Sequence, residues 1–419
     1  MPRLAVDLAP LRASRDFRLL EAGQLVSGLG TQAALVALPF QIYTQTRSAF
    51  LTGLLGAFEL APLVGLALVG GAIADRMDRR RLLLLDQLGL VACAAALATG
   101  AFLGRPPVPL LYALGGLLAG FGAIQNVARS AIVPNVVAPE RLRSALALNF
   151  GLYQLTMVIG PGLGGLLIAA AGVGAAYTAD AVSSLAMVAA AAAMAPQPPL
   201  GGEAIHGIAR SIAAGLRFVR RNQALLGSFA IDLVAMTFGM PRALFPVLSV
   251  SVYGAGAAGT GLLYASVSAG ATGAALSTGW IEHARRLGVI VIWAVIAWGV
   301  AIALAGVTTS LALAAVLLAA AGAADSISAV CRSTINQTVT PDAMRGRMSA
   351  VFSLVVTSGP RLGDIEAGAV AGLAGARFSV VSGGLACVAG VGLVMLAFPT
   401  LARYDAEAVL AGARGSSSG

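Results

Sequence analysis

The sequence predicts an all-α integral membrane protein whose twelve transmembrane helices form two pseudo-symmetric six-helix bundles, and three observations carry that prediction. Of its 419 residues, 58% are hydrophobic and 11% charged, with a mean hydropathy of +0.87, a composition foreign to soluble domains. The apolar residues gather into runs long enough for helices of about 20 residues to cross a bilayer, and short arginine-bearing segments separate them. The two halves repeat short motifs in the same order. A chain of this length has room for about a dozen spans and none for a large soluble catalytic domain.

In chain order, residues 1–16 form a cytoplasmic tail with Arg3, Arg12 and Arg15 and no cleavable-looking signal before the first span. An N-terminal bundle over 17–195 holds spans near 17–44, 50–74, 82–103, 109–134, 142–171 and 175–195. The stretch 196–222 reads as a cytoplasmic linker: it is Pro/Gly-rich and charged, with a short amphipathic piece from Ile208 to Val219. A C-terminal bundle over 223–398 holds spans near 223–250, 256–281, 287–307, 309–336, 346–373 and 376–398. The tail 399–419 ends in Gly415-Ser-Ser-Ser-Gly419, which reads as a linker scar and is left out of fold reasoning.

All 27 basic residues are arginine. Most fall in segments that a twelve-span chain places on one side, the opposite loops hold Arg47, Arg105 and Arg377, and Arg18, Arg129, Arg242, Arg332 and Arg361 lie within the spans. Positive charge in short loops marks the cytoplasmic face, so both termini and the linker are expected in the cytoplasm and the protein in a bacterial cytoplasmic membrane. The same regular spacing speaks against nucleic-acid binding, which needs basic residues on one solvated surface. Cys93, Cys331 and Cys387 stand far apart in apolar segments, and His206 and His283 fall in loops. No metal site, cofactor or catalytic residue is expected.

The repeat is specific. Thr52-Gly-Leu-Leu55 returns as Thr260-Gly-Leu-Leu263, Arg129-Ser130 as Arg332-Ser333, the Pro139-Glu140 segment as Pro341-Asp342, and Gly160-Pro161 as Gly359-Pro360, at offsets of 208, 203, 202 and 199 residues. Each offset lands on the span six later. One such match in a Gly/Ala-rich chain carries little; several in order at nearly one offset indicate duplication.

Between the second and third spans lies Gly71-Ala-Ile-Ala-Asp75-Arg76-Met77-Asp78-Arg79-Arg80-Arg81. This Gly-x-x-x-Asp-Arg-x-x-Arg-Arg pattern resembles the corresponding loop of major facilitator superfamily transporters, a resemblance that extends over residues 15 to 400. It implies an inner-gate role for Gly71, Asp75, Arg76, Arg79 and Arg80, with Gly71 allowing close helix packing and Asp75 pairing with basic groups. The superfamily usually places glycine where this chain has Asp78, which leaves the tight-turn role open. An acidic residue there is similar to the branch that includes bacterial enterobactin exporters. Pro39-Phe40-Gln41-Ile42, Arg242 ahead of Leu244-Phe245-Pro246, and Thr340-Pro341-Asp342-Ala343-Met344-Arg345-Gly346-Arg347 resemble that branch too.

In the fifth span, Gly160-Pro161-Gly162-Leu163-Gly164-Gly165 resembles the Gly-Pro-x-x-Gly-Gly motif of facilitator antiporters. Proline removes a backbone hydrogen bond, and glycines let a neighbouring helix approach and slide. A direction-specific gating role for Gly160, Pro161, Gly164 and Gly165 and an ordinary glycine packing face both remain open. The arginine that the superfamily often carries in its fourth span is missing from Gly115-Gly116-Leu117-Leu118-Ala119-Gly120, and Arg129 cannot be assumed to replace it.

Charges at the membrane midplane cost about 2.5–3.5 kcal/mol or more each and default to functional hypotheses. Counting along the spans places Glu59, Asp232, Asp325 and Arg361 near mid-membrane and Asp364 slightly further out. The resemblance implies that spans one, four, seven and ten line a cavity, so Gln24, Gln32, Asp232 and Asp325 are expected to face the cargo. Glu59, Asp232, Asp325, Arg361 and Asp364 are the candidates for proton coupling, with paired structural contacts as the alternative. Asp86, Asp180 and Glu21 read as structural groups nearer the interfaces.

The expected function is proton-driven export of a siderophore or amphiphilic, drug-like small molecule by alternating access, in a monomer embedded in the bilayer. The sequence holds no Gly-x-x-x-x-Gly-Lys and no lysine, which removes ATP hydrolysis by that route. An importer on the same fold and a non-transporting polytopic protein are the alternatives, and no polar catalytic cluster suggests an enzyme.

Overall fold

The computed structural model describes residues 8–74, 76–198, 208–341 and 344–404. After a short α1, Ala9–Ala13, the first half contains α2 (Arg15–Thr46), α3 (Ala49–Ala74), α4 (Arg79–Leu103), α5 (Val108–Val136) and α6 (Leu142–Ala193). Gly172 breaks α6 with φ 81°, a left-handed conformation that glycine tolerates, and so divides it into spans five and six. Next come α7 (Ile208–Arg221), α8 (Gln223–Phe238), α9 (Phe245–Ser251), α10 (Gly256–Ser277), α11 (Leu287–Val307), α12 (Leu311–Val339), α13 (Arg345–Ala374), α14 (Ala376–Ala397) and α15 (Pro399–Ala402).

The architecture is the expected one: twelve spans, all helical. Among the described residues nine helices are long and apolar enough to cross a membrane by composition alone. The break at Gly172 makes two spans of one of them. α10 falls short of that measure because it is rich in Gly, Ala, Ser and Thr, and α13 because it carries Arg361, Asp364 and Glu366.

Span seven departs from expectation. It was expected as one helix over 223–250 but is interrupted at Gly239–Pro241 and resumes through a 3₁₀ turn at Arg242–Leu244. Proline lacks an N–H and restricts the residue before it, so Met240-Pro241 ends α8. Buried Trp298 donates its Nε1–H to the Gly239 carbonyl at 2.8 Å, and the Ala243 amide donates to Asp364 Oδ1 at 2.9 Å. Backbone groups freed inside a membrane need such partners.

The described residues fall into two compact units, drawn from Met1–Ala204 with Gly254–Ala265 and from Ile205–Tyr253 with Ser266–Gly419. In the first, α2 packs along α6, α3 along α5, and α4 against α5 and α6. Phe17, Leu20, Leu83, Ile132 and Met187 are fully buried in its core. A methyl group at Gly164 would lie 2.6 Å from the Ala33 Cα, and one at Gly165 2.6 Å from the Ala257 carbonyl oxygen. The motif glycines therefore bring helix backbones into contact, a common means of helix association where water supplies no hydrophobic drive. In the second unit α11 packs on α12 and α14, and α13 on α8 and α14.

Candidate functional site

The second unit holds a network of buried charges around the break in span seven. Asp232 on α8, 1% exposed, forms an ion pair with Arg332 on α12, 2% exposed. The other guanidinium nitrogen of Arg332 reaches Asp325, two helical turns earlier on α12, at 3.8 Å. On α13, Arg361 lies 3.7 Å from Asp364, whose second carboxylate oxygen holds the Ala243 amide. Arg242, in the break itself, is close enough for its charge to act on both Asp325 and Asp364. Three aspartates thus face three arginines, as a low-dielectric interior demands.

The three carboxylates are held differently. The Asp232 side chain is 2% exposed, that of Asp364 10% and that of Asp325 22%. Asp364 spends one oxygen on a backbone amide and the other on Arg361. Asp325 is the loosest: its nearest cation is beyond hydrogen-bond distance, and its Oδ1 has no hydrogen-bond partner. It also borders a small apolar cavity lined by Met240, Phe245, Val267, Trp298 and Ile302.

The first unit carries a related arrangement. Glu21 on α2 accepts a 2.6 Å hydrogen bond from Asn149 on α6 and interacts electrostatically with Arg129 on α5, whose guanidinium lies 5.6 Å from the centre of the Tyr153 ring. Glu21, expected near an interface, is 1% exposed. Gln24 lies three residues on, hence on the same helix face, with its Oε1 buried and lacking a hydrogen-bond partner. Each half therefore places an arginine of its fourth span, Arg129 or Arg332, against a carboxylate of its first.

The remaining predicted residues are placed as follows. Gln32 is buried and directs its amide to the Met157 sulfur at 3.1 Å, and its side chain packs against Gly160. Glu59 on α3 is half-buried. Gly160, Pro161, Gly164 and Gly165 are buried on α6. Asp75 and the surroundings of Gly71 lie outside the described residues. Arg76 is exposed. Arg79 donates to the Ala131 carbonyl at 2.8 Å and to Asn135 at 3.0 Å, and Arg80 to the Ala191 and Ala192 carbonyls at 2.9 and 2.6 Å. These two arginines thus bind the last turns of α5 and α6, where unsatisfied carbonyls and the helix dipole favour cations.

Asp78, the residue that departs from the superfamily pattern, has a job of its own. Its Oδ1 caps α4 by accepting from the Arg81 amide at 3.0 Å, and its Oδ2 accepts from the Gln197 amide at 2.9 Å. It fastens the segment after α6 to the start of α4.

Sequence reasoning missed Arg332 and Arg242 as members of the charged network, and Arg129 with Glu21 in the first unit. The repeated Arg-Ser pair, Arg129-Ser130 and Arg332-Ser333, was the available signal. Among the described residues no group of three or more His, Cys, Asp and Glu side chains is arranged to hold a metal.

The model of a major facilitator family described as transmembrane secretion effectors matches residues 5–414. Enterobactin exporters EntS from Citrobacter koseri and Escherichia coli are each 30% identical to this chain over 394 residues, 93% of its length and 92% of theirs. In shape the chain is similar to the nucleoside transporter NupG, with a TM-score of 0.72 at 12% identity over 92% of this chain and 100% of that one. It is also similar to a bacterial homologue of the iron transporter ferroportin, with 0.65 at 17% identity over 93% and 98%. Those two likenesses establish the fold, and the family match with the EntS identity establishes the lineage: the chain belongs to the transmembrane secretion effectors of the major facilitator superfamily, multi-pass membrane transporters, in the branch that contains the enterobactin exporters.

Proposed function

We propose that this transporter is a proton-driven exporter, an antiporter of the bacterial cytoplasmic membrane with both termini in the cytoplasm, acting as a monomer by alternating access. Its cargo is a siderophore or a similar amphiphilic, drug-like compound. The observation that carries the reading is the balanced network of three aspartates and three arginines in which one carboxylate, Asp325, is held loosely.

A proton on Asp325 leaves the network with an excess positive charge in a poorly solvated place. Such an imbalance costs several kcal/mol and favours a conformation that admits water or parts the arginines. A donor group of the cargo that seeks the same carboxylate competes with the proton, and that competition is the thermodynamic basis of exchange. Asp232 and Asp364, each with closer partners, hold the helices around the site. Gln24 and Gln32 supply polar contacts to the cargo, and Glu59 is a further proton site. The loop of Gly71, Asp75, Arg76, Arg79 and Arg80 acts at the inner gate, and Gly160, Pro161, Gly164 and Gly165 let α6 shift against its neighbours. Outward direction is supported by the exporters among the relatives, and so is the cargo class.

Everted membrane vesicles test the reading, with a catecholate siderophore and a cationic dye as cargo. An acidic lumen should drive accumulation of one of them, and a protonophore should abolish it. Accumulation indifferent to the gradient would contradict proton coupling.

A further inference from the structure

The amphipathic helix α7 carries a charged surface that the transport site does not use. Gly215 and Val219, one turn apart, face the second unit's core, where Val219 packs with Met348 and Val351 of α13 and with Leu225 of α8. A methyl group at Gly215 would lie 2.9 Å from the Arg347 carbonyl oxygen, so the contact is close. On the other face Arg217, Arg220 and Arg221 are exposed, together with Leu216, and Arg347 is exposed at the start of α13.

Among the described residues this charge meets no ion-pair partner. From Ile208 to Ile231 the chain holds no acidic residue, and the next one, Asp232, is taken by Arg332. Arg220 and Arg221 enter no hydrogen bond or ion pair among the described residues, and Arg217 reaches only the carbonyl of Ala213 in its own helix, at 3.4 Å. Arg79, Arg80 and Arg377 behave differently, because each is spent on carbonyls at the end of another helix.

Position gives the charge a partner. Only Asn222 separates α7 from α8, so Arg220 and Arg221, in the last turn of α7 where the helix dipole favours cations, stand at the start of a membrane-spanning helix. The Asn222 side chain accepts from the Ala224 and Leu225 amides at 3.0 and 3.2 Å, which fixes the α8 terminus beside them. A junction at the mouth of a span lies at headgroup depth, and exposed Leu216 provides an apolar contact beside the arginines. We propose that the face formed by Arg217, Arg220 and Arg221 at the α7–α8 junction binds the phosphate headgroup of an anionic phospholipid, which clamps α7 to the membrane surface.

Purified protein in phosphatidylcholine nanodiscs, with and without phosphatidylglycerol, gives the test by thermal unfolding and by the lipid retained in native mass spectrometry. Wild type is expected to retain phosphatidylglycerol selectively and to gain several degrees in Tm from it. The R217Q/R220Q/R221Q variant should lose both effects while matching wild type in phosphatidylcholine alone, and R217K/R220K/R221K should keep most of them, since a headgroup phosphate accepts a point charge. Inorganic phosphate should produce no shift, which separates a lipid from a free anion. If the triple variant fails to insert, Arg220→Gln alone should lower the Tm gain. Equal gains in wild type and glutamine variants, or no preference for phosphatidylglycerol, would overturn the proposal, as would an equal shift with inorganic phosphate.

Discussion

Arg332 and Asp232 form a buried ion pair joining the fourth and first spans of the second half, and Asp325 waits at 3.8 Å from the same guanidinium. Removing one member of such a pair strands its partner, at a cost of roughly 3–5 kcal/mol, whereas replacing both with apolar groups is often neutral. Asp232→Ala is therefore expected to lower thermal stability in detergent sharply, and Asp232→Leu with Arg332→Met and Asp325→Asn, which leaves no carboxylate beside the lost guanidinium, to recover most of the loss. A triple variant as unstable as the single one would show that the cost does not come from the stranded charge.

Asp78 links α4 to the segment after α6 through its two carboxylate oxygens. Loss of a helix N-cap costs about 0.5–2 kcal/mol, so Asp78→Ala should lower stability by that order and Asp78→Ser by less. Unfolding measurements on the two variants check the ranking, and equal losses would remove the capping role.

Gly164 has the Ala33 backbone where its Cβ would be. Overpacking of a tight contact costs about 1–3 kcal/mol. Gly164→Val is expected to reach the membrane, to unfold at lower temperature and to lose transport. Transport at the wild-type rate would show that α2 and α6 do not need this close approach.

The proposed cytoplasmic placement of both termini and the linker rests on the arginine distribution. With the native cysteines replaced, a cysteine introduced by His206→Cys should react with an impermeant probe only after permeabilisation. Labelling in intact cells would reverse the topology.

Much of the architecture was legible because a bilayer imposes a length on each apolar run, and duplication wrote the same short motifs twice. Asp232 and Asp325 were legible as functional candidates since charge inside a span needs a reason. The pairing was not. Counting residues along a helix gives depth but not the rotation that turns Arg332 toward Asp232, whereas Arg361 and Asp364, three residues apart and so on one helix face, do lie together, at 3.7 Å. The break in span seven had its signal in Gly239-Met240-Pro241, yet apolar length alone read straight through it. Asp78 looked like a departure from a turn pattern because capping depends on where the segment around Gln197 comes to rest.

The most direct measurement concerns Asp325. In proteoliposomes carrying either wild type or Asp325→Asn, cargo movement is followed with an imposed pH gradient and, separately, as exchange without one. Uncoupling predicts that the variant keeps downhill exchange near the wild-type rate and loses gradient-driven accumulation, while Asp364→Asn, which retains an acceptor for the Ala243 amide, keeps most of both. Full gradient-driven accumulation by Asp325→Asn would contradict the account.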